Sequence, residues 1–350
     1  MIDKPDCAWN LTDMDKVNSN GLKVMTTFSC GGGSSMGYKR AGCEVIAAND
    51  IDKEMAHHYK LNHNPKHYFL CPISELTKRD DLPDELFNLD ILDGSPPCST
   101  FSTAGSREKS WGKDKHFREG QAKQVLSDLF FDYLDLAEKL KPKVVIAENV
   151  KGMITGNAKG YVKLVMARLK AIGYRPQLFL INAADCGVPQ KRERVFFVAI
   201  RDDMPGGKLI LKPKHRWISA GEACRDVQVL TDGEILDTRP HIRIRKYFNR
   251  VKKGESFRKE MMKDTGKDGF NNNYRLDDKQ PSFTLPSMMH NLSHWDTPRT
   301  LTYREASRLG SFPDDYKAKT DSIGKYMIGM SVPPKMAEAV ARAVIEQWLN

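Results

Sequence analysis

Leu89-Asp90-Ile91-Leu92-Asp93-Gly94-Ser95-Pro96-Pro97-Cys98-Ser99-Thr100-Phe101-Ser102 is the stretch from which the fold of this chain can be read. It opens with a short apolar run, Leu89 to Leu92, of the kind that forms a buried strand, and goes on to present a cysteine on a loop stiffened by two prolines. A cysteine leaving the end of a buried strand on such a loop is placed to act as a nucleophile. Further along, Val144-Val145-Ile146-Ala147 is a second strand-like run, and it too ends in reactive groups, Glu148-Asn149-Val150. If the two strands are parallel neighbours, a thiol and a carboxyl group leave the same edge of one sheet.

Working outward, short apolar runs alternate with helix-period segments from Lys23 to Ile200, which predicts an α/β fold with a mostly parallel sheet covered on both faces. The expected strands are Lys23 to Phe28, Val45 to Ala48, Leu89 to Leu92, Val144 to Ala147, Gln177 to Asn182 and Arg194 to Ile200. Helical spacing is read over Leu126 to Leu140 and over Tyr161 to Ile172, the latter stopped by Gly173. After Arg201 the alternation is lost, and Pro205, Gly206, Gly207 and Pro213 punctuate the chain. The expected organisation is a catalytic and cofactor-binding domain over 1–201, a smaller irregular domain over 202–298, and a C-terminal segment over 299–350 that returns to the first.

The 350 residues, 40% hydrophobic and 29% charged, suit a globular chain. Seven scattered cysteines without a C-x-x-C pair argue against a disulfide framework and a zinc ribbon, so the compartment is expected to be reducing. No metal is expected: His290 and His294 lack matching cysteines or carboxylates. No apolar run approaches the roughly 20 residues that span a bilayer, and Met1 to Asn20 is polar and acidic, which predicts a cytoplasmic protein. The net charge of +10 suits a polyanionic partner, and equally a solubility device.

After the first strand comes Phe28-Ser29-Cys30-Gly31-Gly32-Gly33-Ser34-Ser35, and the second strand ends in Asn49-Asp50-Ile51-Asp52. Glycines between strand and helix let a ligand approach the backbone, and an acidic residue closing the next strand can bind ribose hydroxyls. The turn is not G-x-G-x-x-G and has no P-loop lysine, so a cofactor without a pyrophosphate is favoured. S-adenosylmethionine fits, with its ribose at Asp50 and its adenine beside Ile51.

With the glycine turn, the Pro-Pro-Cys loop and the Glu-Asn-Val strand end in this order, the chain resembles the DNA cytosine-5 methyltransferases, bacterial or phage type. Gln190-Lys191-Arg192-Glu193-Arg194 is similar to that family's Gln-x-Arg-x-Arg motif, and Arg299-Thr300-Leu301-Thr302-Tyr303-Arg304-Glu305 to its Arg-x-Leu-Thr-x-Arg-Glu motif. Gly329-Met330-Ser331-Val332-Pro333-Pro334 is similar to its last motif. Departures from the family pattern are Cys30 in place of a glycine, Pro72 in place of an acidic residue, Ser99 in place of glutamine and Met330 in place of asparagine.

The resemblance implies the Rossmann-like sheet of S-adenosylmethionine-dependent methyltransferases with a target-recognition domain over about 202–298. It implies that Phe28, Gly31, Gly32, Gly33, Asp50, Ile51, Ile73, Pro97, Leu129, Ser331 and Val332 hold S-adenosylmethionine, with S-adenosylhomocysteine as product. The implied catalytic residues are Cys98, Glu148, Arg192 and Arg194. Carbon 5 of cytosine is a poor nucleophile, so the ring needs covalent activation at carbon 6, which a Cys98 thiolate provides. Glu148 then donates a proton or hydrogen bond at N3, Arg194 holds the base or the cysteine loop, and Arg192 the phosphates or the base carbonyl.

The substrate base must leave the duplex to reach such a thiol. Ser99 to Gly120, with Ser102, Arg107, Lys109, Lys113, Lys115 and Arg118, is expected to form a lid that grips phosphates. Arg239 to Lys259, including Arg243, Arg245, Lys246 and Arg250, together with Arg275, is the expected DNA-facing surface, a solvated charged face being the plain alternative. Asn271, Asn272, Asn273 and Ser287 to His294 also carry groups able to read bases.

The expected function is therefore methylation of cytosine C5 at a specific short sequence in double-stranded DNA, in a restriction-modification system with a cognate endonuclease or as an orphan enzyme. A monomer in the bacterial cytoplasm or nucleoid is expected. Three other readings stay open: an RNA (tRNA) cytosine-5 methyltransferase, an exocyclic-amine methyltransferase suggested by Ser95-Pro96-Pro97, and a catalytically silent DNA-binding protein.

Overall fold

The computed structural model describes residues 3–97, 114–115, 124–125, 129–155, 158–239, 242–266 and 273–350. It divides into two compact units. One comprises Lys16–Asn182, Glu193–Pro213 and Ala337–Asn350; the other comprises Met1–Asp15, Ala183–Arg192 and Lys214–Met336. The C-terminal segment is thus split at 336/337 rather than joining one unit whole.

The first unit is built on a seven-stranded sheet. Its strands are β1 (Lys23–Thr27), β2 (Glu44–Asp50), β3 (His67–Leu70), β4 (Ile91–Gly94), β5 (Val144–Val150), β6 (Tyr174–Asn182) and β7 (Glu193–Arg201), in the order β3-β2-β1-β4-β5-β7-β6. All pairings from β3 to β5 are parallel, and β7 runs antiparallel to both of its neighbours. The expected mostly parallel sheet is therefore present. β3 is an addition: four residues at the sheet edge, half-exposed, with too short an apolar signal to be read from sequence.

β4 is buried along its whole length and β5 along all but its last residue, as parallel strands covered on both faces must be. Their register, Ile91 with Val144 through Gly94 with Ala147, makes them parallel neighbours, so Pro96-Pro97 and Glu148-Asn149 do leave one edge. The chain winds from β1 out to β3 and then crosses back to β4, which puts a switch point between β1 and β4; ligands of open α/β sheets bind beside the carboxyl ends of strands at such points.

Helices cover the sheet. Helix α1 (Gly33–Arg40) begins from Gly32, whose φ of 88° lies in the left-handed region that glycine adopts without steric cost. Helix α2 (Lys53–His63) is capped by the Asp52 carboxylate, which accepts from the amides of Glu54 and Met55. Helix α3 (Ile73–Lys78) follows β3. Helix α4 (Leu129–Leu140) turns Leu129, Phe130, Tyr133, Leu134, Leu136, Ala137 and Leu140 inward, and helix α5 (Lys159–Ala171) ends before Gly173 at φ 87°. Leu92, Val145, Ala147, Phe130, Tyr133 and Phe197 belong to the main apolar core on one side of the sheet.

The second unit has little regular sheet. Its buried ion pairs fix the turns: Arg299 holds Glu305 through two bonds of 2.7 Å, and Glu305 in turn caps helix α6 (Tyr303–Leu309) by accepting from the amide of Thr302. Among the described residues no helix is long and apolar enough to cross a membrane.

Candidate active site

At the carboxyl end of β5, Glu148 is buried, and its Oε1 lies 3.0 Å from Nε of Arg194 on β7. The antiparallel pairing of Val150 with Arg194 puts the two side chains on one face of the sheet. Burial pushes the Arg194 guanidinium down from its ordinary value, and the adjoining Glu148 opposes that shift. A buried carboxyl group with a fixed cation on one side presents its remaining edge in a single orientation, as a group donating to or accepting from a bound base requires.

The loop leaving β4 is tied to the same strand. Asn149 is buried and donates Nδ2 to the Pro96 carbonyl at 3.0 Å, while its Oδ1 accepts from the Val150 amide at 2.9 Å. Gly94 is required where β4 ends, because a Cβ there would stand 2.5 Å from Thr27 Oγ1 and 2.6 Å from the Tyr133 ring. The Tyr133 hydroxyl donates to the carbonyls of Leu92 and Ile146, clamping β4 to β5. Cys98 itself lies outside the described residues, as do Ser99, Ser102, Arg107 and Lys109 and most of the expected lid.

The glycine turn stands at the end of β1, beside the end of β2. Asp50 Oδ2 accepts from the Cys30 amide at 2.7 Å and Oδ1 from the Asp52 amide at 2.8 Å. Burial pushes the Asp50 carboxyl up, and those two amides counter it. Asp50 thus shapes the turn before any ligand arrives, a role the sequence did not disclose. Cys30, standing where the family pattern has glycine, takes φ 46°, and Phe28 takes φ 51°; for side chains that bear a Cβ the left-handed region costs roughly 1–2 kcal/mol, and Asp50 is one of the contacts that hold it.

Asp50, half-buried Phe28 and half-buried Ile51 surround this turn, which contains no Lys or Arg. A carboxylate with spare acceptor sites, flanked by apolar side chains and lacking a cation for phosphates, fits a nucleoside cofactor such as S-adenosylmethionine. Pro97 is half-buried, whereas Ile73 and Leu129 are packed into the apolar core. Ser331 and Val332 are buried in the second unit, where the Ser331 hydroxyl donates to the Met327 carbonyl.

The Gln-x-Arg-x-Arg motif is divided between the units. Arg194 belongs with Glu148, but Gln190 and Arg192 are buried in the second unit. Gln190 bonds the Leu285 amide and the Leu309 carbonyl, and Arg192 donates to the carbonyls of Leu285 and Gly329 at 3.2–3.3 Å. Together they staple three distant segments.

Of the residues expected to face DNA, Arg245, Lys246 and Arg250 are exposed, but Lys246 and Arg250 share Asp264 at 3.0 Å each. Arg275 is turned inward: it stacks 4.0 Å over the Phe248 ring and donates to the carbonyls of Trp295, Phe248 and Val251. The side chain of Arg243, like Asn271 and Asn272, lies outside the described set. His294 accepts from the amides of Asp296 and Thr297, and burial pushes it down to about 4.

Comparison with known proteins agrees with this geometry. The chain is 29% identical over 344 residues to the Type II methyltransferase M.NgoPII of Neisseria gonorrhoeae, covering 93% of this chain and 96% of that one. It is 27% identical over 343 residues to the Type II methyltransferase M1.HphI of Haemophilus parahaemolyticus, covering 94% and 88%. Among solved structures, the fold matches the S. pombe Dnmt2 methyltransferase with a TM-score of 0.64 at 16% identity, over 93% of this chain and 98% of that one. The family model for C-5 cytosine-specific DNA methylase matches residues 22–346. The chain therefore belongs to the C-5 cytosine-specific DNA methylases, enzymes that methylate carbon 5 of cytosine in DNA with S-adenosylmethionine as the methyl donor.

Proposed function

We propose that this enzyme methylates one cytosine within a specific short sequence of double-stranded DNA, as the modification partner of a restriction endonuclease that cuts the same sequence. The support for the sequence-specific role is its similarity along nearly the whole chain to Type II methyltransferases. The enzyme acts as a monomer in the cytoplasm, with residues 202–298 selecting the target and the exposed cations Arg245, Lys246 and Arg250 facing the phosphates.

The observation that carries the mechanism is the buried Glu148–Arg194 pair, one strand over from the loop that Asn149 holds at Pro96. The target cytosine is turned out of the duplex. Cys98 adds through Sγ to carbon 6, and electron density moves onto N3, where the Glu148 carboxyl group supplies a proton. Arg194 keeps that carboxyl in line. Bound at the glycine turn, S-adenosylmethionine supplies an electrophilic methyl group. After methylation carbon 5 gives up its proton to a water molecule, N3 returns its proton to Glu148, and Cys98 is expelled as the thiolate.

Expression in a host without cytosine methylation, with a Cys98→Ser control, followed by bisulfite sequencing of the host genome, tests this. Protection at one short context, absent in the control, is the expected result. No protection from a soluble protein that binds S-adenosylhomocysteine would sink the DNA reading and move the search to RNA.

A further inference from the structure

Helix α2 reaches the glycine turn at both of its ends. At its start, Asp50 Oδ1 accepts from the amide of Asp52, the residue that caps α2. At its other end stands His63, the last residue of α2, 6% exposed. The His63 ring stacks on Tyr59 with centroids 4.4 Å apart, and its carbonyl accepts from Lys39 Nζ of α1 at 2.9 Å. The Tyr59 hydroxyl donates in turn to Ser35 Oγ, 2.8 Å away near the start of α1. Held in this way, the imidazole bonds the carbonyl of Gly32; a carbonyl can only accept, so the ring supplies the proton. Burial, and then the Lys39 ammonium, push His63 well below its ordinary value, so the donor is the neutral ring. None of the roles assigned above falls to His63.

We propose that His63 is a positioning residue for the cofactor: its hydrogen bond to Gly32 fixes the peptide that opens α1, and with it the direction in which the Gly33 amide faces S-adenosylmethionine. This rests on reading the glycine turn as the cofactor site. Gly32 is the corner of that turn: at φ 88° its amide donates to the Ser29 carbonyl at 2.8 Å, and its carbonyl accepts from the Met36 amide at 2.9 Å. Across a trans peptide the carbonyl of Gly32 and the N–H of Gly33 point in opposite directions, so a group that fixes one aims the other. The first amides of a helix have no acceptor within it and point out of its N-terminus, where a ligand can take them. Glycine has the widest freedom of φ and ψ, so along Gly31 to Gly33 a bond from outside the turn restricts the backbone most. Without it, the cost of ordering the turn falls on cofactor binding.

The test compares two variants of the full-length enzyme. His63→Phe keeps an aromatic ring against Tyr59 and loses the donor; His63→Gln keeps a donor at similar reach. The Kd for S-adenosylhomocysteine, the KM for S-adenosylmethionine, kcat on cytosine-containing DNA and the melting temperature are measured on each, with Asp50→Ala as the control for the turn. His63→Phe is expected to weaken S-adenosylhomocysteine roughly three- to tenfold and to raise KM alike, with kcat at saturating cofactor within about twofold of wild type. His63→Gln is expected to recover most of the affinity. His63→Leu takes the place of the Phe variant if that does not fold. With Asp50→Ala weakened, an unchanged affinity in His63→Phe, equal losses in the Phe and Gln variants, or a loss confined to kcat would overturn the proposal. If neither Asp50→Ala nor His63→Phe changes the Kd, the glycine turn is not the cofactor site, and that reading falls together with the proposal.

Discussion

The side chain of Asn149 donates to the carbonyl of Pro96 at 3.0 Å, so the strand that carries Glu148 also holds the backbone two residues ahead of Cys98. That bond ties the end of β5 to the loop that leaves β4. Asn149→Ala leaves the Pro96 carbonyl unpaired in a buried site, which costs about 1–3 kcal/mol of stability, and frees the loop. A misplacement on the order of 1 Å costs about 100-fold in rate. The expected outcome is a kcat lowered roughly 10- to 100-fold with the KM for S-adenosylmethionine nearly unchanged; steady-state kinetics at wild-type rate would show that the loop finds its place without Asn149.

Arg194 and Glu148 form a buried pair, and removing one partner of such a pair is far more costly than removing both. Arg194→Leu leaves the buried Glu148 carboxyl group without its partner and is expected to lower stability by about 3 kcal/mol, whereas Arg194→Leu with Glu148→Leu restores most of the loss. Both variants are expected to be inactive. Denaturant melts of the two single variants and the double variant measure the coupling, and additive losses would mean the pair is not formed in solution.

Much of this site was legible in the sequence because its residues end apolar runs: Gly94 to Pro97 follow Leu92, Glu148 follows Ala147, and Asp50 closes the second strand. The positions of strand ends carry that information. What a residue bonds to does not. Arg275 and the Arg243–Arg250 run read as a DNA-facing surface, yet Arg275 stacks on Phe248 and serves three carbonyls of its own unit, since a guanidinium with five donors can close a turn as readily as grip a phosphate. The carbonyls that Arg192 bonds lie 93 and 137 residues away in the chain, which no local pattern announces. Nor does the local sequence mark Asp93, whose partner Tyr38 is 55 residues distant.

Asp50 accepts from the amides of Cys30 and Asp52, and so braces the left-handed turn at Cys30 that a side chain with a Cβ disfavours. Asp50→Ala releases both amides and removes the carboxylate from the glycine turn. Calorimetric titration with S-adenosylhomocysteine is expected to show at least a tenfold weaker Kd, about 1.4 kcal/mol, with a lower melting temperature. An unchanged Kd would place the nucleoside away from Asp50.

The Asp93 carboxyl also makes folding depend on pH, with a sign opposite to that of most carboxylates. Its folded-state value is raised from 3.8 to about 7, with burial the largest cause. As pH rises from about 4, the unfolded chain releases this proton while the folded chain retains it, so the group's contribution to stability falls over that window and levels off above about 7. Asn keeps an acceptor for the Tyr38 hydroxyl and has no charge to bury. Asp93→Asn is therefore expected to melt close to wild type at pH 4 and to become more stable than wild type as pH rises, by on the order of 2–4 kcal/mol at pH 8. Thermal or denaturant melts of both proteins at matched pH check this through their difference, which cancels the titration of all other groups. A difference that does not change with pH would mean that Asp93 stays ionised throughout, in a site wetter than its burial indicates.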